Sequence, residues 1–208
     1  MKGLLLKDFY IVRSSLLILA VTFLAVGVAL SFLISPWALV VAIAVIFSFQ
    51  ASATVQVDKA SQWNRFAATL PLSRRQVISS KYLLTAILGA GGILLGAAVG
   101  LVVMAFQGQV DLGGLTPYLC LAVLLVFLPS SVILPLSFVL DEEKSIVGNV
   151  LAYLASAGLF AGFILLVRRF LLPEGDMTAA LAAAALLGLL AFALSWLFCP
   201  GKLSKRDI

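Results

Sequence analysis

The side chains able to do chemistry in this 208-residue chain are few, and their densest cluster runs from Val57 to Leu83, VDKASQWNRFAATLPLSRRQVISSKYL. It holds five of the fourteen basic residues, Lys59, Arg65, Arg74, Arg75 and Lys81, together with Asp58 and Trp63. Such a set binds rather than makes bonds: it offers ion pairs, hydrogen bonds and aromatic contact. Trp63, Phe66, Ala67 and Leu70 fall at i, i+3, i+4 and i+7, which is one apolar stripe on a helix. Leu70-Pro71 ends that helix, because the residue before proline is pushed out of the α region. Ser73 with Gln76 three positions on is a capping-box pattern that starts another. The stripe has two readings. It is a helix lying on lipid with its cations reaching for headgroups, or it is a docking helix for a soluble partner.

The rest of the composition excludes most enzyme classes. Histidine is absent, which removes His-ligated metal sites, His general bases and Ser–His dyads together. The two cysteines, Cys120 and Cys199, lie in or beside apolar runs and do not indicate a disulfide framework. No GxxxxGK[ST] run is present, so the chain binds no nucleotide by that motif. Hydrophobic residues make up 63% and charged residues 11%, with a mean hydropathy of +1.18. A soluble domain of this length has no interior large enough for that much apolar surface, so the chain reads as a polytopic membrane protein. A pI near 9.5 then needs no nucleic-acid partner, since positive charge normally marks the cytoplasmic side of a membrane protein.

The elements that must position the cluster are apolar helices, and the expected fold is all-α with six transmembrane spans. Residues 1–13 read as an interfacial helix carrying Lys2, Lys7, Asp8 and Arg13. The first span follows at 14–34, uncleaved. Ser35 caps a second span at 36–53, with Pro36 at its first position. The 57–81 segment is the polar interruption. A third span at 82–106 carries Gly92, Gly96 and Gly100 on one face, a small-residue pattern that lets two helices approach closely. Thr116-Pro117 caps a fourth at 118–140. There Pro129 and Pro135 each free a carbonyl that a lipid-facing helix has no way to satisfy, so that part faces protein or a water-lined cavity. Asp141, Glu142, Glu143 and Lys144 form the next loop. A fifth span occupies 145–167, and an alanine-rich sixth runs over 178–198 to a stop at Pro200-Gly201.

Six spans place both termini on one side. That side, with the 57–81 segment and the 141–144 loop, carries twelve of the fourteen basic residues, and only Arg168 and Arg169 lie opposite. The charged side is therefore expected to be cytoplasmic, with the protein a multi-pass component of the cell membrane. No ionisable group falls well inside any expected span. Ion-coupled transporters usually place one there, so the energy for any transport is expected from a partner.

The opening MKGLLLKDFY, the stretch WNRFAATLPLSRRQVISSKYL and the proline-bearing fourth span leading into LDEEKSIVGN resemble the type-2 ATP-binding-cassette exporter permeases of Gram-positive bacteria. The likeness is to the small six-span subunits that include the phenol-soluble modulin exporter permease. It covers essentially the whole chain, and LPLSRRQ…SKYL is its most specific part. The resemblance implies a coupling helix over residues 58–70, seated in a groove of a separate ATPase subunit. Asp58, Lys59, Trp63, Arg65, Phe66, Leu70, Arg74 and Arg75 would serve the docking, with Asp141, Glu142 and Glu143 as a second, shorter contact. It also implies two permease copies with two ATPases, an amphipathic peptide as cargo, and ATP with Mg bound by the partner, with no cofactor in this chain. The alternative is a membrane immunity or scaffold protein that binds a peptide or partner without moving it.

The charge asymmetry sets a direct test of topology. A cysteine at Ser61 should be labelled by an impermeant thiol reagent only from the cytoplasmic side, and cysteines at Gly113 and Gly175 only from outside. Labelling of Gly113→Cys from the cytoplasm alone would overturn the six-span arrangement.

Overall fold

The computed structural model describes residues 2–31, 35–67, 69, 73–108, 112–140, 142–166 and 177–203. Seven α-helices follow one another, and no strand occurs among the described residues: α1 (Lys2–Ser31), α2 (Ala38–Ala60), α3 (Trp63–Ala67), α4 (Arg74–Gln107), α5 (Leu115–Val139), α6 (Glu142–Leu166) and α7 (Met177–Leu203). Four of them, α2, α4, α5 and α7, are long and apolar enough to cross a membrane. The described parts of the other two expected spans, 14–31 and 145–166, fall within α1 and α6, helices of 30 and 25 residues. In α6 the apolar part is the shorter stretch Val150–Gly162.

Several boundaries differ from the sequence reading, each for a local reason. The expected interfacial helix and first span are one unbroken helix. Between Gly3 and Gly27 there is no glycine or proline to interrupt it. α2 begins at Ala38 rather than at Pro36, because residues 35–37 form a turn in which Ser35 and Pro36 carbonyls accept from Ala38 and Leu39. It also runs on to Ala60, so Asp58 and Lys59 belong to its last turn rather than to the short helix after it. α5 starts at Leu115 after Gly114, not at a Thr116 cap. α7 continues through Pro200 to Leu203, although proline has no N–H to give the carbonyl four residues back. The Ser73 cap is present as expected. Its Oγ accepts from Gln76 N at 3.3 Å, and Gln76 Oε1 accepts from Ser73 N at 3.2 Å.

Two helix pairs build the bundle. α2 is the central element, with Val40, Ile43, Ala44 and Ala51 fully buried. It lies antiparallel to α4 across the glycine stripe. A Cβ on Gly92 would sit 2.8 Å from Ala44 Cα, one on Gly96 2.6 Å from Val40 Cα, and one on Gly100 3.1 Å from the Trp37 ring. Backbone meets backbone here because the glycines leave nothing between. α1 covers one flank of this pair through Val12 and Leu16, packed with Ile43, Phe47 and Leu88.

α5 and α7 form the second pair, joined to α4 by Tyr82, Phe127, Phe192 and Trp196, whose rings lie 5.1 to 6.5 Å apart. The proline-bearing part of α5 faces protein: Pro129, Ser130, Ile133 and Leu134 are buried. Pro135 leaves the Ser131 carbonyl without its helical partner, and Ser195 of α7 donates to it at 2.8 Å. That commits the Ser195 proton, so the Tyr82 hydroxyl, 2.7 Å away, is the donor to Ser195 Oγ. α4, α7 and α5 are thus linked by a chain that ends on the carbonyl that proline freed.

Replacing Gly96 by alanine should lower the thermal unfolding temperature of the detergent-solubilised chain. Helix propensity favours alanine by about 1 kcal/mol, but overpacking against backbone costs about 1–3 kcal/mol and there is no flexible side chain to yield. Gly91→Ala, on the exposed face with nothing within 4 Å, should leave the transition unchanged or raise it.

Candidate functional site

Among the described residues the charged side chains gather at one end of the bundle. They lie in the leading part of α1, α4 or α6, in the last turns of α2 or α7, or in α3. Side-chain contacts bring these ends together. Lys7 of α1 meets Asp58 of α2, Lys81 of α4 meets Asp8 of α1 and Asp58 of α2, and Lys59 of α2 donates to the Leu140 carbonyl at the end of α5. Lys59 therefore neutralises the last carbonyls of a helix, where a cation is favoured.

At the centre of this end is a closed ring of four charges. Asp8 Oδ1 lies 3.1 Å from Lys7 Nζ and 2.8 Å from Lys81 Nζ. Asp58 lies 2.5 Å from Lys7 Nζ through Oδ1 and 2.6 Å from Lys81 Nζ through Oδ2. Each ammonium touches both carboxylates, so the set is neutral as a whole. Lys81 spends its third N–H on Thr54 Oγ1 at 3.0 Å, and Thr54 in turn donates to the Ala51 carbonyl at 2.7 Å. Asp8, Asp58 and Lys81 are buried. Taking ions out of water costs several kcal/mol each unless they are fully paired, and full pairing is what this geometry provides.

The short α3 hangs beside the ring. α2 ends in a turn where Gln62 takes φ of 53°, a left-handed conformation rare for a residue with a Cβ. The chain then reverses into α3. Trp63 and Phe66 contact each other with ring centroids 5.3 Å apart. Trp63 turns its ring toward Lys7, whose Nζ sits 4.3 Å from the centroid, and its Nε1 is buried without a hydrogen-bond partner. Ala67 is buried, while Phe66 is 56% exposed. The expected single stripe is therefore split: Trp63 and Ala67 face the chain's own bundle, and Phe66 faces away.

The remaining sequence-predicted positions are placed as follows. Arg74 and Arg75 are exposed in the first turn of α4, and Arg13 is exposed on α1 with its guanidinium carbon 5.0 Å from the Tyr10 ring centroid. Leu70 and Asp141 lie outside the described residues. Lys2 lies in α1, Arg65 in α3, and Glu142 and Glu143 in the first turn of α6. Gly92, Gly96, Gly100, Pro129 and Pro135 are packing positions away from the charged end. Among the described residues no group of His, Cys, Asp or Glu is clustered to hold a metal ion.

Sequence reasoning did not single out the ring, yet its signal is there. Lys81 sits on the buried face of α4 with Ile78, Thr85 and Leu88. Asp8 lies four residues from both Leu4 and Val12, which are buried. Asp58 continues the buried row of Ala51, Thr54 and Val55. A charge on an otherwise apolar helical face is a charge that has a partner.

Residues 3–200 match the family model described as ABC-2 family transporter protein. No curated protein and no solved structure matches the chain.

The ring predicts a non-additive mutant cycle. Asp58→Ala alone should destabilise the chain by about 3–5 kcal/mol, since it leaves an uncompensated buried cation. Asp58→Ala with Lys81→Met keeps a neutral Lys7–Asp8 pair and should cost less than the sum of the single changes by about 1–3 kcal/mol. Denaturant unfolding of the purified chain in mixed micelles measures each corner.

Proposed function

The chain belongs to the ABC-2 family of transporters, and on that premise we propose that it is the transmembrane permease subunit of an ATP-driven exporter. The observation that carries the reading is α3, a five-residue helix at the charged end that presents Phe66 outward. A soluble-protein groove is a natural place for such a ring. In our reading the charged end is cytoplasmic, both termini lie there, and α1 and α6 complete a set of six spans. A separate ATPase subunit takes α3 in its groove and supplies ATP with Mg. Two permease copies work with two ATPases.

Phe66 is the anchor of this contact, and Trp63 backs it through ring-to-ring packing while itself held from behind by Lys7. Arg74 and Arg75, exposed just after the Ser73 cap, lie at the rim, where charge tunes register and salt dependence more than affinity. The spans offer support for an apolar cargo. An apolar cavity of about 810 Å³ lies between α5, α6 and α7, bounded by Leu124, Leu128, Leu159 and Leu187 with Gly158 and Gly188. Its walls favour a hydrophobic or amphipathic molecule, such as an amphipathic peptide, over a polar solute.

Phe66→Ala should leave the chain folded in the membrane and weaken ATPase binding about 30-fold, the equivalent of about 2 kcal/mol for a buried aromatic anchor. Arg74→Ala should give a smaller loss that disappears as salt is raised. Co-purification and equilibrium binding at two ionic strengths measure both. Full ATPase binding and coupled export by Trp63→Ala/Phe66→Ala would return α3 to the lipid surface, and a chain that binds cargo but no ATPase would make it a scaffold or immunity protein.

A further inference from the structure

The ion ring spans three long helices and touches a fourth element. Lys7 and Asp8 come from α1, Asp58 from the last turn of α2, and Lys81 from two turns into α4. Lys7 also faces α3, its ammonium 4.3 Å from the centroid of the Trp63 ring. A five-residue helix does not hold itself in water, where isolated helices shorter than about 12 residues are marginal. Its seat is set by what it touches: the left-handed turn at Gln62, the buried Ala67, and Trp63 lying on Lys7.

We infer that the Lys7–Asp8–Asp58–Lys81 ring is the joint that passes movement of α3 into α1 and α4. The inference rests on the reading of α3 as the docking helix and assigns the positioning residues behind it. When α3 is drawn away, Trp63 leaves the ammonium of Lys7. Lys7 holds one oxygen of Asp8 and one of Asp58, and Lys81 holds the same two carboxylates. A shift of Lys7 therefore unbalances the charge on both sides of Lys81, which is buried. Intermediate positions leave unpaired ions there, so the ring has a closed arrangement and an open one rather than a graded series.

The structure also gives the order of opening. Lys7 is 23% exposed at its side chain, against 1%, 8% and 2% for Asp8, Asp58 and Lys81. Its ammonium reaches water with the least desolvation to reverse, so the ring opens at Lys7 first. The α1–α2 contact of Lys7 with Asp58 gives way first, while Lys81 still holds Asp8 of α1 and, on α2, Asp58 and Thr54.

The chain has three tryptophans, so full-length protein carrying 5-fluorotryptophan gives three fluorine resonances, with Trp63 assigned by Trp63→Phe. Lys7→Met, which keeps the apolar stem, should shift or broaden the Trp63 resonance. Asp58→Asn and Lys81→Met, changes at positions behind Lys7, should do the same while Trp37 and Trp196 stay in place. Ser80→Ala, beside Lys81 on α4 with its hydroxyl donating to the Val77 carbonyl of its own helix, should move nothing. An unmoved Trp63 resonance in Lys7→Met, or in folded Asp58→Asn, would overturn the inference. In the second arm, the wild-type chain is purified with its ATPase subunit. Lys7→Met should retain the ATPase but lose the stimulation of ATP turnover by cargo; retained stimulation overturns the inference. If the wild-type chain binds no ATPase, the docking reading fails on its own, and the fluorine spectra still decide whether the ring controls α3.

Discussion

Everything at the charged end of this protein depends on how closely α2 and α4 approach at the other. Gly92, Gly96 and Gly100 of α4 stand where a Cβ would meet Ala44 Cα, Val40 Cα or the Trp37 ring at 2.6 to 3.1 Å. With the two axes so close and antiparallel, the register along the pair is fixed. Gly100 lies beside Trp37, Gly96 beside Val40 and Gly92 beside Ala44, and the same sequence carries Lys81 to Thr54 and Asp58. A wider spacing would leave Lys81 short of its carboxylates. The packing and the electrostatics are therefore one constraint seen at two ends of a helix pair.

The ring shows how an apolar bundle tolerates charge at its end. α4 has 34 residues, about 51 Å at about 1.5 Å per residue, against a hydrocarbon core of about 30 Å. It is therefore longer than that core is thick, and Lys81 lies two turns from its charged end. Paired twice and bonded once more to Thr54, it needs no water. The same economy governs α5. Pro135 frees a carbonyl, and the Tyr82–Ser195 pair satisfies it from two other helices. In both places a polar group that lipid would reject ties together elements distant in sequence.

α3 differs from the rest of the molecule in having almost no interior of its own. It is five residues long, follows a left-handed turn at Gln62, and divides its aromatic pair between the bundle and the outside.

The amino-acid sequence by itself determined the class of the molecule. Apolar runs of span length, the absence of histidine, the clustering of basic residues and the Ser73–Gln76 cap all follow from local chemistry, and they indicated a helical membrane protein with a polar segment between two spans. The Gly92/Gly96/Gly100 spacing indicated a close helix contact, since period and side-chain size are local properties. What the sequence left open was which helix lies opposite, because a small-residue face fits any partner of the right shape; the tertiary structure chose α2. It also decided the fate of Lys7, Asp8, Asp58 and Lys81. Their identities are compatible with solvent, lipid headgroups or a docking partner, and only the convergence of α1, α2 and α4 brings residues up to 73 positions apart within ion-pair distance. The split of Trp63 from Phe66 has the same origin. Helical periodicity puts them on one side of α3, but the position of Lys7 on another helix decides which ring turns inward.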